Sequence, residues 1–197
     1  MTARNTRILL MTAAFLAGLV LCFAVVLLVT GRAPVAQQIA AIGGPFKLVD
    51  QNGKAVTDQD MKGRPFLVFF GFTHCPDVCP TTLFEVSEIL RALGPDADRV
   101  RALFITVDPE RDTPGVIKDY LSSFDPHLAG LTGDPGAVTA VAKAYRVYFK
   151  KVPLDQGGYT MDHTAIVYLM DKEGRFVAPF SLKRTTDAAA AELRRYL

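Results

Sequence analysis

The sequence predicts an α/β domain, a mixed sheet with helices on both faces, behind an N-terminal transmembrane helix. Three observations carry this. Residues Ile8 to Thr30 are uncharged and almost all apolar. Beyond them, short continuous apolar runs alternate with segments of helical period. Turn signals such as Asn52-Gly53, Gly94-Pro95 and Gly174 separate the two kinds of segment.

Ile8 to Thr30 is 23 residues, about 35 Å as a helix, enough for a hydrocarbon core of about 30 Å. A cleavable signal peptide has a shorter apolar stretch and a small-residue cleavage site. Here the run is longer and passes into Gly31-Arg32 without such a site, so it reads as an uncleaved anchor. Cys22 lies inside the run and reads as an inert, buried thiol. Arg4 and Arg7 precede the span and only Arg32 follows closely, which puts the N-terminus in the cytoplasm. The expected parts are a cytoplasmic segment 1–7, an anchor 8–30, a tether 31–44 and an exported domain 45–197. The tether could reach about 40 Å if extended. The exported side is a bacterial periplasm, with anchoring in the inner membrane, or the mitochondrial intermembrane space in a eukaryote.

The chain carries 22 basic and 20 acidic residues. Removing Arg4 and Arg7 leaves the remainder formally neutral. No basic run or nucleic-acid signature is present, so a nucleic-acid partner is excluded.

Within the domain, Phe46–Asp50 and Lys54–Val56 flank the Asn-Gly turn as a small hairpin. Phe66–Phe70 is a continuous apolar run, expected of a strand buried on both faces. Leu83, Val86, Leu90 and Leu93 repeat at helical spacing from Pro80 to Leu93, with proline in the first turn and Gly94-Pro95 at the end. Ala102–Val107 reads as a second buried strand. Thr113-Pro114 and Asp134-Pro135 open two further helices. Thr164–Leu169 and Arg175–Ala178 form a hairpin around Asp171–Gly174, and Ala188–Tyr196 is a last helix. The order is βαβα, another helix, then ββα. A βαβ half joined to a ββα half is the thioredoxin plan.

The chemistry centres on Cys75 and Cys79. The plan delivers them from the end of the first buried strand to a helix N-terminus, where amide groups favour thiolate and lower a cysteine pKa. A thiolate is both a nucleophile and a metal ligand. Disulfide oxidoreductases of this fold have two residues between the cysteines; this chain has three. The wider bite lets both sulfurs meet one soft ion, above all Cu(I). A third donor is then needed, and His163 is the candidate. It precedes the strand Thr164–Leu169, which should lie beside the first. The alternative is a surface or satisfied core histidine. A structural disulfide is the competing reading of the cysteine pair, but closing so short a loop gains little. His74 reads as a loop residue and His127 as solvent-facing loop. Met161 shares a strand face with His163, as a spare soft ligand or as packing. Asp77 and Asp162 either tune the site or are simply solvated.

The runs Gly71-Phe-Thr-His-Cys75-Pro-Asp-Val-Cys79-Pro80, Val107-Asp-Pro-Glu-Arg-Asp-Thr-Pro114 and Asp162-His163-Thr-Ala closely resemble the Sco/SenC copper proteins. The resemblance spans about Pro45 to Leu197. It implies a membrane-anchored thioredoxin-like protein that delivers copper to the binuclear copper centre of cytochrome c oxidase. It also implies Cys75, Cys79 and His163 as ligands of Cu(I) or Cu(II). The implied partners are the copper-bearing oxidase subunit and another periplasmic copper chaperone as donor. It leaves the stretch Tyr148 to Tyr159 as an extended hairpin or loop near the histidine. On this reading the protein is a metallochaperone rather than an enzyme. The rival is a thiol-disulfide oxidoreductase that uses Cys75 and Cys79 to reduce the cysteines of that centre. A thiol peroxidase is a third reading.

Overall fold

The computed structural model describes residues 3–30 and 42–197. The chain divides into two compact units, Met1–Ala40 and Ala41–Leu197.

In the first unit, Ala3–Thr30 form one helix, α1, of 28 residues. Its side chains are described from residue 10 to 26 and all are exposed, including Leu10, Phe15, Leu19 and Phe23. Among the described residues no helix is long and apolar enough to cross a membrane; the expected span 8–30 runs past the described side chains at both ends. Cys22 is exposed. That corrects the buried thiol its neighbours predict, because a single helix has no interior. Of the expected tether 31–44, residues 31–41 lie outside those described.

The second unit has the thioredoxin-like plan. Its strands are β1 (Lys47–Asp50), β2 (Ala55–Thr57), β3 (Phe66–Gly71), β4 (Arg101–Thr106), β5 (Leu128–Thr132), β6 (Phe149–Pro153), β7 (Tyr159–His163), β8 (Val167–Met170) and β9 (Phe176–Pro179). Its helices are α2 (Val78–Leu93), α3 (Pro114–Leu121), α4 (Pro135–Ala144) and α5 (Thr186–Arg194). Among the described residues, seven strands form one sheet in the order β2-β1-β5-β4-β3-β8-β9, and β6 pairs only with β7. β3, β4 and β5 are parallel, whereas β8 is antiparallel to β3.

The sequence explains these elements locally. All six positions of β3 are buried, as a strand covered on both faces requires. Asp50 closes the first hairpin by accepting from the backbone N–H of Asn52 and of Lys54, each at 2.9 Å. The side chain of Asp134 accepts from Ala137 N–H at 2.9 Å and caps α4, with Pro135 in its first turn.

The chain steps β3-α2-β4-α3-β5 in one direction across the sheet. Right-handed crossovers then put α2 and α3 on the same face. Phe69, Phe104 and Gly130 share that face through the strand register. A Cβ at Gly130 would lie 2.0 Å from Ile117 Cγ2 and 2.8 Å from Leu121 Cδ1, both on α3, so glycine is what lets α3 approach β5. On the other face Phe70 meets the ring of Tyr145, just after α4, at 5.4 Å. Helices therefore cover both faces.

Two expectations change and one alternative is settled. β5 was not expected as a strand: Leu128-Ala-Gly-Leu-Thr132 is short, and a helix demands its glycine. The stretch Tyr148 to Tyr159, expected as an extended hairpin or loop, is a hairpin: β6 and β7 pair as a two-stranded arm that runs on to His163. The strand expected from Thr164 begins at Val167, so His163 ends β7 instead of leading directly into β8. Thr164 still extends the arm, donating its N–H to Tyr148 O at 2.9 Å and accepting Tyr148 N–H on Oγ1 at 3.1 Å.

Candidate metal centre

β3 runs out of the core at Gly71, and the next eight residues carry both thiols to α2. Cys75 N–H donates to Phe72 O at 3.2 Å, which tightens the loop. Asp77 is the N-cap of α2 but makes no side-chain cap bond. The sulfur of Cys75 takes that role, accepting the first-turn N–H of Cys79 at 3.4 Å. The loop is also tied down from outside. Asp112, fully buried, accepts Thr73 N–H at 3.0 Å and the hydroxyls of Thr73 and Thr106 at 2.6 Å each. Gly71 makes the space the second sulfur needs: a Cβ there would meet Cys79 Sγ and Phe104 Cε2, each at 2.8 Å.

His163 comes from the end of β7. Its Nε2 lies 3.7 Å from Cys79 Sγ. Its Nδ1 lies 3.2 Å from Thr164 O. A carbonyl oxygen only accepts, so the proton belongs on Nδ1 and the Nε2 lone pair faces the sulfurs. Phe72 and Phe69 hold the ring edge-on, at 5.7 and 6.3 Å between centroids. Burial lowers the His163 pKa against the weaker pull of the Thr164 carbonyl and Asp162, so the imidazole is neutral and free to bind a metal near neutral pH.

Donor atoms of Cys75, Cys79 and His163 all lie within 4.8 Å of one another. Two soft thiols and one imidazole make a donor set fit for copper. Both thiols are free and buried. The helix N-terminus was expected to lower the cysteine pKa values; at Cys79 the opposite holds. Burial, the dominant influence, pushes that thiol well up, and the neighbouring Cys75 and Asp112 add to it. The buried sulfur keeps its proton until something displaces it.

The other expected residues fall around this centre or away from it. Asp77, Met161 and Asp162 line the cleft of about 280 Å³ that opens beside Cys75 and His163. Asp77 and Asp162 are exposed, and Met161 is buried. His74 is an exposed loop residue bonded to Thr73 Oγ1 at 3.1 Å, outside the donor group. His127, expected as solvent-facing loop, is instead half-buried between Asp125 at 2.6 Å and Asp98 at 3.1 Å. A larger cleft of about 400 Å³, lined by Arg64, Arg101 and His127, lies at the other end of the parallel strands. Arg101 opens β4, whereas Thr106, which closes it, pairs with Gly71. The donors therefore sit at the carboxyl ends of the strands, where α/β sheets hold their ligands.

Sequence reasoning missed the supporting residues. The run Val107–Pro114 stood out only as a marker, with no task given to Asp112 or Asp108. Their carboxylates are fully buried, and paired charged residues in a predicted loop after an apolar strand were the signal for it.

The SCO1/SenC family model matches residues 34–197. The solved structure of Bradyrhizobium japonicum ScoI with copper bound is 69% identical, with a TM-score of 0.78, and covers 80% of this chain and 100% of that one. A SCO2-like protein of Rickettsia felis is 37% identical over 169 residues, 85% of this chain and 80% of its own length. The mitochondrial SCO1 homolog 1 of Arabidopsis thaliana is 40% identical over 162 residues, 80% of this chain. The chain spans about half of that plant relative, 48% of its length.

Proposed function

The chain belongs to the SCO1/SenC family, and from that premise we propose that it is a membrane-anchored copper carrier. It takes up copper on Cys75, Cys79 and His163 and passes it to the copper-bearing subunit of cytochrome c oxidase, after loading from another copper chaperone. The observation that carries this reading is the convergence of three donors, two sulfurs and an imidazole nitrogen, within 4.8 Å. The copper-bound ScoI of 69% identity supports it.

Binding would displace the thiol proton that burial holds on Cys79; metal binding and proton release are coupled in this way wherever thiols ligate. Three donors leave a coordination position open, so an acceptor's thiolate or imidazole can enter before a ligand leaves. The cleft beside Cys75 and His163 supplies the approach.

The anchor reading rests on α1. A helix that is apolar all round has to be buried in something, and the exposed Leu10, Phe15, Leu19 and Phe23 lie all along it. With Arg4 and Arg7 before it and few charges after it, the domain 45–197 would face the periplasm of a bacterial inner membrane, or the intermembrane space. Tethering both carrier and acceptor to one membrane raises their effective concentration.

One observation favours a second reading. Cys75 and Cys79 are both free, and their sulfurs lie within 4.8 Å of each other, so the pair is placed to close into a disulfide. As a reductant, the chain would oxidise these thiols to a disulfide while two acceptor thiols form from the acceptor's disulfide. The raised Cys79 pKa disfavours it as an attacking thiolate, and His163 would have no task. The deciding experiment mixes the full-length chain with the purified, metal-free oxidase subunit. Copper-loaded chain should give the subunit its own copper absorption, with no change in total thiols. Failure of transfer, together with thiol exchange between the metal-free chain and the oxidised subunit, would replace carrier with reductant.

A further inference from the structure

We propose that Asp108, Arg111 and Tyr159 form a latch that holds the β6–β7 arm, and through it the His163 imidazole, within reach of the two sulfurs. This deepens the copper reading and rests on it. His163 stands at the end of a two-stranded sheet that, among the described residues, pairs with no strand of the main sheet. An isolated two-stranded hairpin is marginal in water, and four of the five side chains of β6 are exposed. Something other than strand pairing therefore sets where the imidazole sits.

Apolar packing of Met161 in the core is one hold on the arm, and the polar contacts converge on Tyr159, the first residue of β7. Its hydroxyl donates to Asp108 Oδ1 at 2.9 Å. Arg111 donates from Nε to Asp108 Oδ2 at 2.5 Å and from Nη1 to the Tyr159 carbonyl at 3.0 Å. The guanidinium lies over the Tyr159 ring at 3.9 Å, and 5.9 Å from the centre of the Phe72 ring. Arg111 Nη2 is buried with no hydrogen-bond partner among the described residues, held against these rings. Asp108 is fully buried, and both of its carboxylate oxygens find their partners within the latch, one on its own turn and one on the arm. The outer pair, Lys151 with Glu110, is exposed on both sides and contributes little.

The same turn grips the other half of the site. Asp112 holds the cysteine loop through Thr73, while Asp108 and Arg111 hold the histidine arm. Five consecutive residues, 108–112, thus set the separation between sulfurs and imidazole. Latched, the centre has three donors. Unlatched, it has two. Arg111 and Tyr159 are positioning residues, since neither belongs to the donor group.

The test compares the full-length chain with Arg111→Gln and Tyr159→Phe variants. Amide hydrogen exchange is read on the metal-free proteins, and imidazole ¹⁴N coupling and affinity on the Cu(II)-loaded ones. Arg111→Gln should speed exchange across β6–β7 while leaving β3, β4 and β5 unchanged. It should weaken the nitrogen coupling, keep the sulfur charge-transfer band, and lower copper affinity about 10- to 100-fold, the usual effect of losing a partner that orients a ligand. Tyr159→Phe, which loses one hydroxyl, should move each readout the same way by less, and it carries the comparison if Arg111→Gln does not fold. In a His163→Ala background Arg111→Gln should cost no further affinity. Unchanged exchange in β6–β7, or an equal affinity loss in that background, would overturn the latch. Absence of copper binding by the unaltered chain would instead overturn the carrier reading, and the exchange data would still judge the latch.

Discussion

Gly71 has no side chain because Cys79 needs the space. A methyl group there would sit 2.8 Å from the sulfur and from Phe104. Both neighbours are fully buried, and overpacking of this kind costs about 1–3 kcal/mol. Gly71→Ala should therefore lower stability by that order in a urea titration. It should also weaken copper in competition with a chelator, because the sulfur is what must move. The grouping of Cys75, Cys79 and His163 was legible from the sequence: cysteine spacing marked a soft site, the place of His163 before a strand expected beside the first made it the candidate third donor, and the motif resemblance implied the same three residues. Gly71, Thr73 and Asp112 were not legible. A glycine at a strand end reads as punctuation, and the partners of a buried aspartate 39 residues along the chain leave no local trace. The pKa of Cys79 was misread for a related reason. The helix end is visible in sequence, but the burial that outweighs it is not.

Elements followed their periodicity where one neighbour dominates. β3 and α2 were legible because a long apolar run and a clean helical stripe each allow one packing. β5 was not, because Gly130 answers to Ile117 and Leu121 on α3 and strand propensity has no part in that choice. Gly130→Ala should push α3 off the sheet and lose about 1–3 kcal/mol or more. It lies away from the donors, so copper affinity should hold; a denaturant curve and a chelator titration on the same variant separate the two. A parallel loss of both would mean that α3 and the copper loop are one mechanical unit. The β6–β7 arm was expected as a hairpin or loop, and its two strands were not bounded because four of the five side chains of β6 are exposed. A strand pattern read from burial has nothing to register there.

At the scale of the molecule, His127 ties the edge of β5 to α2. Its Nδ1 lies 2.6 Å from Asp125, whose N–H donates to Ser87 Oγ on α2 at 3.0 Å. The hydrogen bond to Asp125, with a further one to Asp98, raises the His127 pKa above the ordinary histidine value. The folded state then binds its proton more tightly than the unfolded state. The stabilisation is complete below about pH 6.5, the unfolded value, and is lost as pH rises through the raised folded value. Melting temperature should fall over that window in the unaltered domain and stay flat in His127→Gln; parallel curves would remove His127 from the account.

The whole fold serves one juxtaposition, a loop with two sulfurs and an arm with an imidazole, gathered at the carboxyl ends of β3 and β4. X-ray absorption on the reduced, full-length chain loaded with one equivalent of Cu(I) tests it most directly. The account predicts two sulfur neighbours and one imidazole nitrogen per copper, with the nitrogen lost in His163→Ala. Two sulfurs alone, with a spectrum that His163→Ala leaves unchanged, would contradict it.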